Sequence, residues 1–138
     1  MIISSKIQRN VATSDENDSV LDAARQMTEC YIGSLLVTGA YGVKGIFTER
    51  DLMMRVIGEG LDPQAVKVGD VTNEALLKVR PDEDVSRCLD LMKDNRCRHL
   101  AVFDGEEFIG IVSLRDMVAL MLDEKEALIA RLKEYIAA

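Results

Sequence analysis

Apolar positions along this chain change period twice, in the same order each time. Val20, Ala23, Ala24, Met27 and Tyr31 fall at i, i+3, i+4, i+7 and i+11, the spacing of one face of an amphipathic helix. Val85, Cys88, Leu89 and Met92 repeat that spacing further on. A short β-like piece precedes each helix: Asn10-Val11-Ala12-Thr13 in the first case, Leu76-Leu77-Lys78-Val79 in the second. Asp18 or Ser19 is expected to cap the first helix and Asp82 or Asp84 the second, with Pro81 just ahead of it. Two β-rich runs then flank a glycine-containing turn in each case. Ser34–Thr38 and Val43–Phe47 surround Gly39-Ala40-Tyr41-Gly42, and His99–Phe103 and Phe108–Val112 surround Asp104-Gly105-Glu106-Glu107, which predicts two hairpins. A further helix starts at Thr48 and at Ser113. The expected unit is β-α-β-β-α, present twice, in an α/β (α+β) fold.

The copies align by a shift of 65 positions, with no gap from Val20 to Val56. Gly45-Ile46 falls on Gly110-Ile111 and Arg50-Asp51 on Arg115-Asp116. Val20, Met27, Leu35 and Val37 fall on Val85, Met92, Leu100 and Val102, while Thr48 falls on Ser113 and keeps the hydroxyl. Gly58–Pro63 reads as a turn or loop, and Val66–Val71 as the lead into the second copy. The expected division is a first repeat over 1–62, a second over 63–122 and an extended C-terminal helix over 123–138. One copy alone covers only one face of its sheet, so the copies are expected to pack together with pseudo-twofold symmetry.

The last helix outruns its counterpart, with no Gly or Pro from Asp116 to Ala138. Val118, Met121, Leu122, Leu128, Ile129, Leu132 and Ile136 form an apolar stripe that Lys125 interrupts. The stripe either packs back on its own domain or meets a second copy of the chain in a homodimer.

Composition narrows the function. Hydrophobic residues at 48% of the 138 suffice for a core, and aromatics at 4% with no Trp leave that core to aliphatic residues and Met. A net charge of −7 opposes a nucleic-acid backbone, whereas a local basic cluster still admits a small anion. Cys30, Cys88 and Cys97 are odd in number and lack C-x-x-C spacing, which fits reduced, mostly buried thiols in a cytoplasmic protein. Met1–Ile7 reads without a signal-peptide core, and no apolar run approaches the roughly 20 residues of a membrane span. His99 is the only histidine and has no ligand cluster in sequence, so a metal site is not expected. Cys97 beside His99 lacks an orienting third group and an oxyanion site, so the chain is not expected to be an enzyme.

The repeated segment with chemistry in it is Gly45-Ile46-Phe47-Thr48-Glu49-Arg50-Asp51 and its counterpart Gly110-Ile111-Val112-Ser113-Leu114-Arg115-Asp116. It lies where a strand gives way to a helix. A hydroxyl followed three residues later by Asp is close to a capping box, which needs no ligand. It is also the start of an anion site, since free amides and the helix dipole favour negative charge and a carboxylate can accept from the vicinal hydroxyls of ribose.

These segments, together with Arg98-His99-Leu100-Ala101-Val102 and Val68-Gly69-Asp70-Val71, resemble a tandem pair of CBS (cystathionine β-synthase) domains, a Bateman module, over about residues 5 to 122. The resemblance implies a regulatory, signal-transduction module that binds an adenosine-containing ligand (AMP, ADP, ATP, NAD or an S-adenosyl compound) in the cleft between repeats, with no cofactor required. It implies that Asp51 and Asp116 hold ribose hydroxyls and that Thr48 and Ser113 contact phosphate. Arg98 and His99 then lie by the phosphates of the second site, Arg115 belongs to the nucleotide-binding residues, and Thr13, Lys78 and Val79 border the adenine through backbone groups. The alternative is a ligand-free structural or protein-interaction module that dimerises. The sequence departs from the family at Thr72-Asn73, at Lys78, and at Gly33-Ser34, which stand where the second copy has Arg98-His99. Two unequal sites are therefore expected, the one around Ser113 and Asp116 better suited to phosphate.

Overall fold

The Ser19 hydroxyl starts the first long helix by accepting from the Asp22 amide at 3.0 Å, and α1 (Val20–Cys30) then buries Val20, Ala23 and Met27. The helix closes at Tyr31, a non-glycine residue at φ 53°. The Tyr31 and Ile32 amides turn back to the carbonyls of Thr28 and Met27 at 3.3 and 3.0 Å, the pairing of a Schellman motif. That reversal swings Tyr31 outward to 96% exposure and brings Ile32 against the core instead. Tyr31 therefore leaves the buried face to which helical spacing assigns it. The counterpart α4 (Val85–Asn95) is capped by Asp84, which accepts from the Ser86 amide at 2.8 Å, and closes at Arg96, φ 51°. Its core-facing residues are Val85, Cys88 and Met92. A side chain in the left-handed region is strained, and glycine relieves the strain. Arg96→Gly is expected to raise stability by about 1 kcal/mol, read as a higher urea midpoint at unchanged m-value.

In the described residues, 1–137, the computed structural model forms two three-stranded sheets, each within its own unit. In the unit Asn10–Leu76, β1 (Thr13–Asp15) pairs parallel with β2 (Ser34–Gly39), which pairs antiparallel with β3 (Gly42–Thr48). The other unit joins Met1–Arg9 to the chain from Leu77 on. There β4 (Lys78–Val79), β5 (His99–Asp104) and β6 (Glu107–Ser113) repeat the same order and pairing. Gly42 and Gly105 take positive φ, 100° and 61°, at the two hairpin tips. The edge strands begin later than the sequence pattern suggests, at Thr13 rather than Asn10 and at Lys78 rather than Leu76.

Each unit has its own aliphatic core. Val20, Met27, Leu35, Val37, Phe47 and Val56 cluster in one, and Val85, Cys88, Leu100, Val102, Val112 and Met117 in the other. Each core also takes a residue from a segment far away in sequence. Val68, in the short helix α3 (Val68–Val71), is fully buried in the first. Ile3, ahead of the 3₁₀ turn Ser4–Lys6, is fully buried in the second. The shift of 65 carries Ile3 onto Val68, so each segment belongs by sequence phase to one copy and packs in the other's unit.

Beyond β3 the chain forms α2, one α-turn (Glu49–Asp51) that runs on as a π-helical stretch (Leu52–Ile57). Beyond β6, α5 (Leu114–Ala137) buries Met117 and is exposed from Met121 on. The apolar stripe does not return to its own unit: Val118, Met121, Leu122, Leu128, Ile129, Leu132 and Ile136 are 43–82% exposed. The three cysteines are free thiols, and only Cys88 is buried, where the sequence predicts most of them to be: Cys30, the last residue of α1 before the outward turn, is exposed, Cys97 is half-buried, and burial pushes the Cys88 thiol up to about 11.

Candidate functional site

Both strand-to-helix junctions are complete caps. The Thr48 amide and hydroxyl donate to Asp51 Oδ2 at 2.9 and 3.1 Å, and the Asp51 amide donates to Thr48 Oγ1 at 3.2 Å. The Ser113 amide donates to Asp116 Oδ2 at 2.8 Å, and the Asp116 amide to Ser113 Oγ at 3.1 Å. The first helical amide of each junction is taken as well. Glu49 N donates to the Gly33 carbonyl at 3.0 Å and Leu114 N to the Arg98 carbonyl at 2.8 Å. Two of the first three amides at each helix start thus have intrachain acceptors, so an anion meets fewer free donors than a bare helix terminus offers. The carboxylates keep capacity of their own. The bonds to Asp116 fall on Oδ2 and leave Oδ1 to another donor.

The junctions differ in what surrounds the carboxylate. Gln8 Nε2 donates to Asp116 Oδ2 at 2.8 Å, whereas Asn73, its counterpart by the shift of 65, turns its side-chain oxygen to the Ala75 amide at 3.0 Å. Asp51 instead faces Arg55, whose Nε lies 3.6 Å from Oδ1. Gln8 and Arg55 are missed by reading the motifs alone. The signals for them were the repeat register, which sets Gln8 against Asn73, and the i, i+4 spacing of Asp51 and Arg55.

The sheet of the second unit gathers most of the expected residues. His99 opens β5 directly opposite Ser113 on β6, as Ser34 stands opposite Thr48 in the first unit. Arg98 precedes His99 and is exposed, as is Arg115 in the first turn of α5. Val79 pairs with Val102 and points into the core, so only its backbone can face a ligand. Lys78 pairs with Ala101 and lays its ammonium 4.6 Å from the Phe103 ring centre, a cation–π contact. In the first unit Thr13 is exposed on β1 and its carbonyl accepts from Gln26 Nε2 at 3.0 Å.

A polar groove of about 340 Å³ in the first unit is lined by Glu16, Asn17, Lys44, Ala65, Lys67 and Asp70. Lys44 is ion-paired there and Lys67 is hydrogen-bonded. Lys44 lies 3.2 Å from Glu16 and 3.5 Å from Glu74, whose carboxylates hold its ammonium above the usual lysine value, and Lys67 reaches Asn17 Oδ1 at 3.4 Å. Among the described residues no three His, Cys, Asp or Glu side chains gather as metal ligands, and no helix is long and apolar enough to cross a membrane.

Two βαββα units, each ending in a hydroxyl-capped helix with Asp in its first turn, define a tandem-repeat module. The chain belongs to the CBS-domain family, whose domain model matches residues 3–58 and again 68–123. The mitochondrial CBS domain-containing protein CBSX3 of Arabidopsis thaliana is 37% identical over 87% of this chain. A protein of Methanopyrus kandleri is 31% identical over 80% of it. The chain spans 61% and 58% of the lengths of these two relatives. A solved structure from Burkholderia ambifaria, assigned to signal transduction and carrying CBS domains, shares 35% identity. It superposes with a TM-score of 0.79 over 83% of this chain and 85% of its own.

Proposed function

We propose that this chain is a regulatory sensor, not an enzyme, and that it binds an adenosine-containing ligand at the strand-to-helix junctions of its CBS repeats. Asp51 and Asp116 accept from ribose hydroxyls, and Thr48 and Ser113 lie at the phosphate. The junction at Ser113 is the stronger of the two. The observation that carries this reading is the recurrence of hydroxyl and carboxylate at the same junction in both units, with His99 opposite Ser113, Arg98 and Arg115 nearby, and Asp116 Oδ1 outside the cap. The first junction lacks cations at the matching positions Gly33 and Ser34, and its carboxylate already faces Arg55. Thr13, Lys78 and Val79 stand by the adenine through their backbones. The ligand acts by favouring one of two states of the module. A homodimer through the exposed stripe of α5 is part of the same proposal, as is a reducing compartment, which suits three free thiols. The plant relative is mitochondrial, so that compartment need not be the cytoplasm.

Calorimetry with AMP, ADP, ATP, NAD and S-adenosylmethionine tests the ligand. Binding by at least one is expected, and silence from all five at millimolar concentration rules the ligand out. Asp116→Ala is expected to weaken binding by roughly 10- to 100-fold, the loss of one or two hydrogen bonds to a charged acceptor. The 2′-deoxy analogue should bind the parent chain more weakly and the variant no worse than the ribonucleotide. Equal affinity of parent and variant for the ribonucleotide removes Asp116 from the ribose.

One observation favours a second reading. Both capping boxes close without a ligand, so the repeated motif has a sufficient structural role. On that reading the module serves assembly alone, and the five titrations stay flat.

A further inference from the structure

The apolar stripe of α5 is a heptad seam, and its charges specify which way a second helix lies on it. Taking Val118 as position a, the a positions are Val118, Lys125 and Leu132, and the d positions are Met121, Leu128 and Tyr135. Leu122, Ile129 and Ile136 occupy e, and Glu124 and Arg131 occupy g. All of these residues are exposed, and the seam runs beyond residue 123, where the match to the second CBS domain ends. We infer that α5 pairs antiparallel with α5 of a second copy of this chain, Glu124 of each copy meeting the partner's Arg131. This rests on the proposal of a dimer through α5 and adds its direction and register.

Two features separate this arrangement from a parallel one. In an antiparallel pair a packs on d, and g faces g. Setting Leu132 on the partner's Met121 places Val118 on the partner's Tyr135, Leu122 beside the partner's Ile129, and Glu124 opposite the partner's Arg131, twice per dimer. In a parallel pair g faces e, and Glu124 and Arg131 meet only Ile129 and Ile136. Lys125 gives the same answer. In parallel register it faces the partner's Lys125 across the seam. In antiparallel register it faces the partner's Leu128, and its long stem carries the ammonium to the edge. A shallow groove of about 330 Å³ beside the seam, bordered by Met1, Met121 and Leu128, offers a seat for the partner's Leu132. The overlap from Val118 to Tyr135 amounts to about 26 Å of helix.

The test is a mixing experiment on the full chain at low salt. Glu124→Arg and Arg131→Glu each set like charges against one another in the homodimer and are expected to weaken it by about tenfold. Mixed in equal amounts, the two variants restore both unlike pairs, so native mass spectrometry is expected to show heterodimers well above the statistical half. The bias should fade in 1 M salt, where exposed pairs are screened. Both residues lie on the exposed helix surface, and unchanged circular dichroism confirms that the variants fold. A dimer that persists but mixes statistically overturns the antiparallel register while leaving the α5 dimer intact. A parent chain that stays monomeric at high micromolar concentration overturns both.

Discussion

Phe47→Ala is expected to lower unfolding stability by about 3–5 kcal/mol, the usual cost of emptying a large aromatic site. Phe47 is the largest fully buried side chain among the described residues. It lies on β3, opposite Leu35 on β2, in the cluster that also holds Val20, Val37, Val56 and Val68. Those neighbours are short and mostly β-branched, so they cannot swing in to fill the space it leaves. Urea unfolding measures the loss, and amide exchange should quicken over residues 10–76. A drop below about 1 kcal/mol would mean that the site collapses on itself and that its neighbours are not rigid. Phe47→Leu, which keeps most of the volume, should cost well under half as much.

Gly110→Val is expected to cost about 3.5–5 kcal/mol by a different route. A Cβ at Gly110 would sit 2.3 Å from the Gln8 carbonyl oxygen and 2.8 Å from Ile7 Cγ2. The Gln8 oxygen is backbone and cannot rotate aside, so the N-terminal segment must lift off β6. Lifting it breaks the two bonds between Gln8 and Ile111, at 2.9 and 3.0 Å, and uncovers Ile3, which is fully buried. Burial of one Ile stabilises by about 1.5–3 kcal/mol and each backbone bond by about 1. It also removes Gln8 Nε2 from Asp116, so the junction at Ser113 loosens together with the core. Trypsin offers a second readout, since Lys6 and Arg9 should become cleavable in the variant. Gly33→Ala is the control, because the added methyl meets only the flexible end of Glu49, at 3.3 Å. An unchanged urea midpoint for Gly110→Val would show that docking of the segment adds nothing to stability.

Much of the fold was readable because its signals are local. The helical spacing of Val20, Ala23 and Met27, the hairpin glycines at 42 and 105, and the hydroxyl-x-x-Asp caps each act over a few residues. Tyr31 shows where periodicity fails. Nothing in an i, i+4 pattern announces that the helix ends one residue earlier in a left-handed turn and hands the core position to Ile32. The late starts of β1 and β4 are a matter of the ladder and not of the pattern: pairing begins only at Thr13 opposite Leu36 and at Lys78 opposite Ala101.

The candidate site divides in the same way. Thr48, Asp51, Ser113 and Asp116 were visible because a capping box lies within one helical turn of sequence. Gln8 was not, because it reaches Asp116 across 108 positions, on the segment that also places Ile3 in the second core.

By itself, then, the sequence determined the repeat, its βαββα order, its caps and the apolar stripe of the last helix. Each of these follows from residues within a few turns or strands of one another. Only the tertiary structure decided that Ile3 and Val68 cross into each other's repeat units, that Gln8 reaches Asp116, and that the stripe of α5 stays exposed. Such contacts are selected by which buried surface is left uncovered after the local elements have formed, and a one-dimensional pattern does not record that.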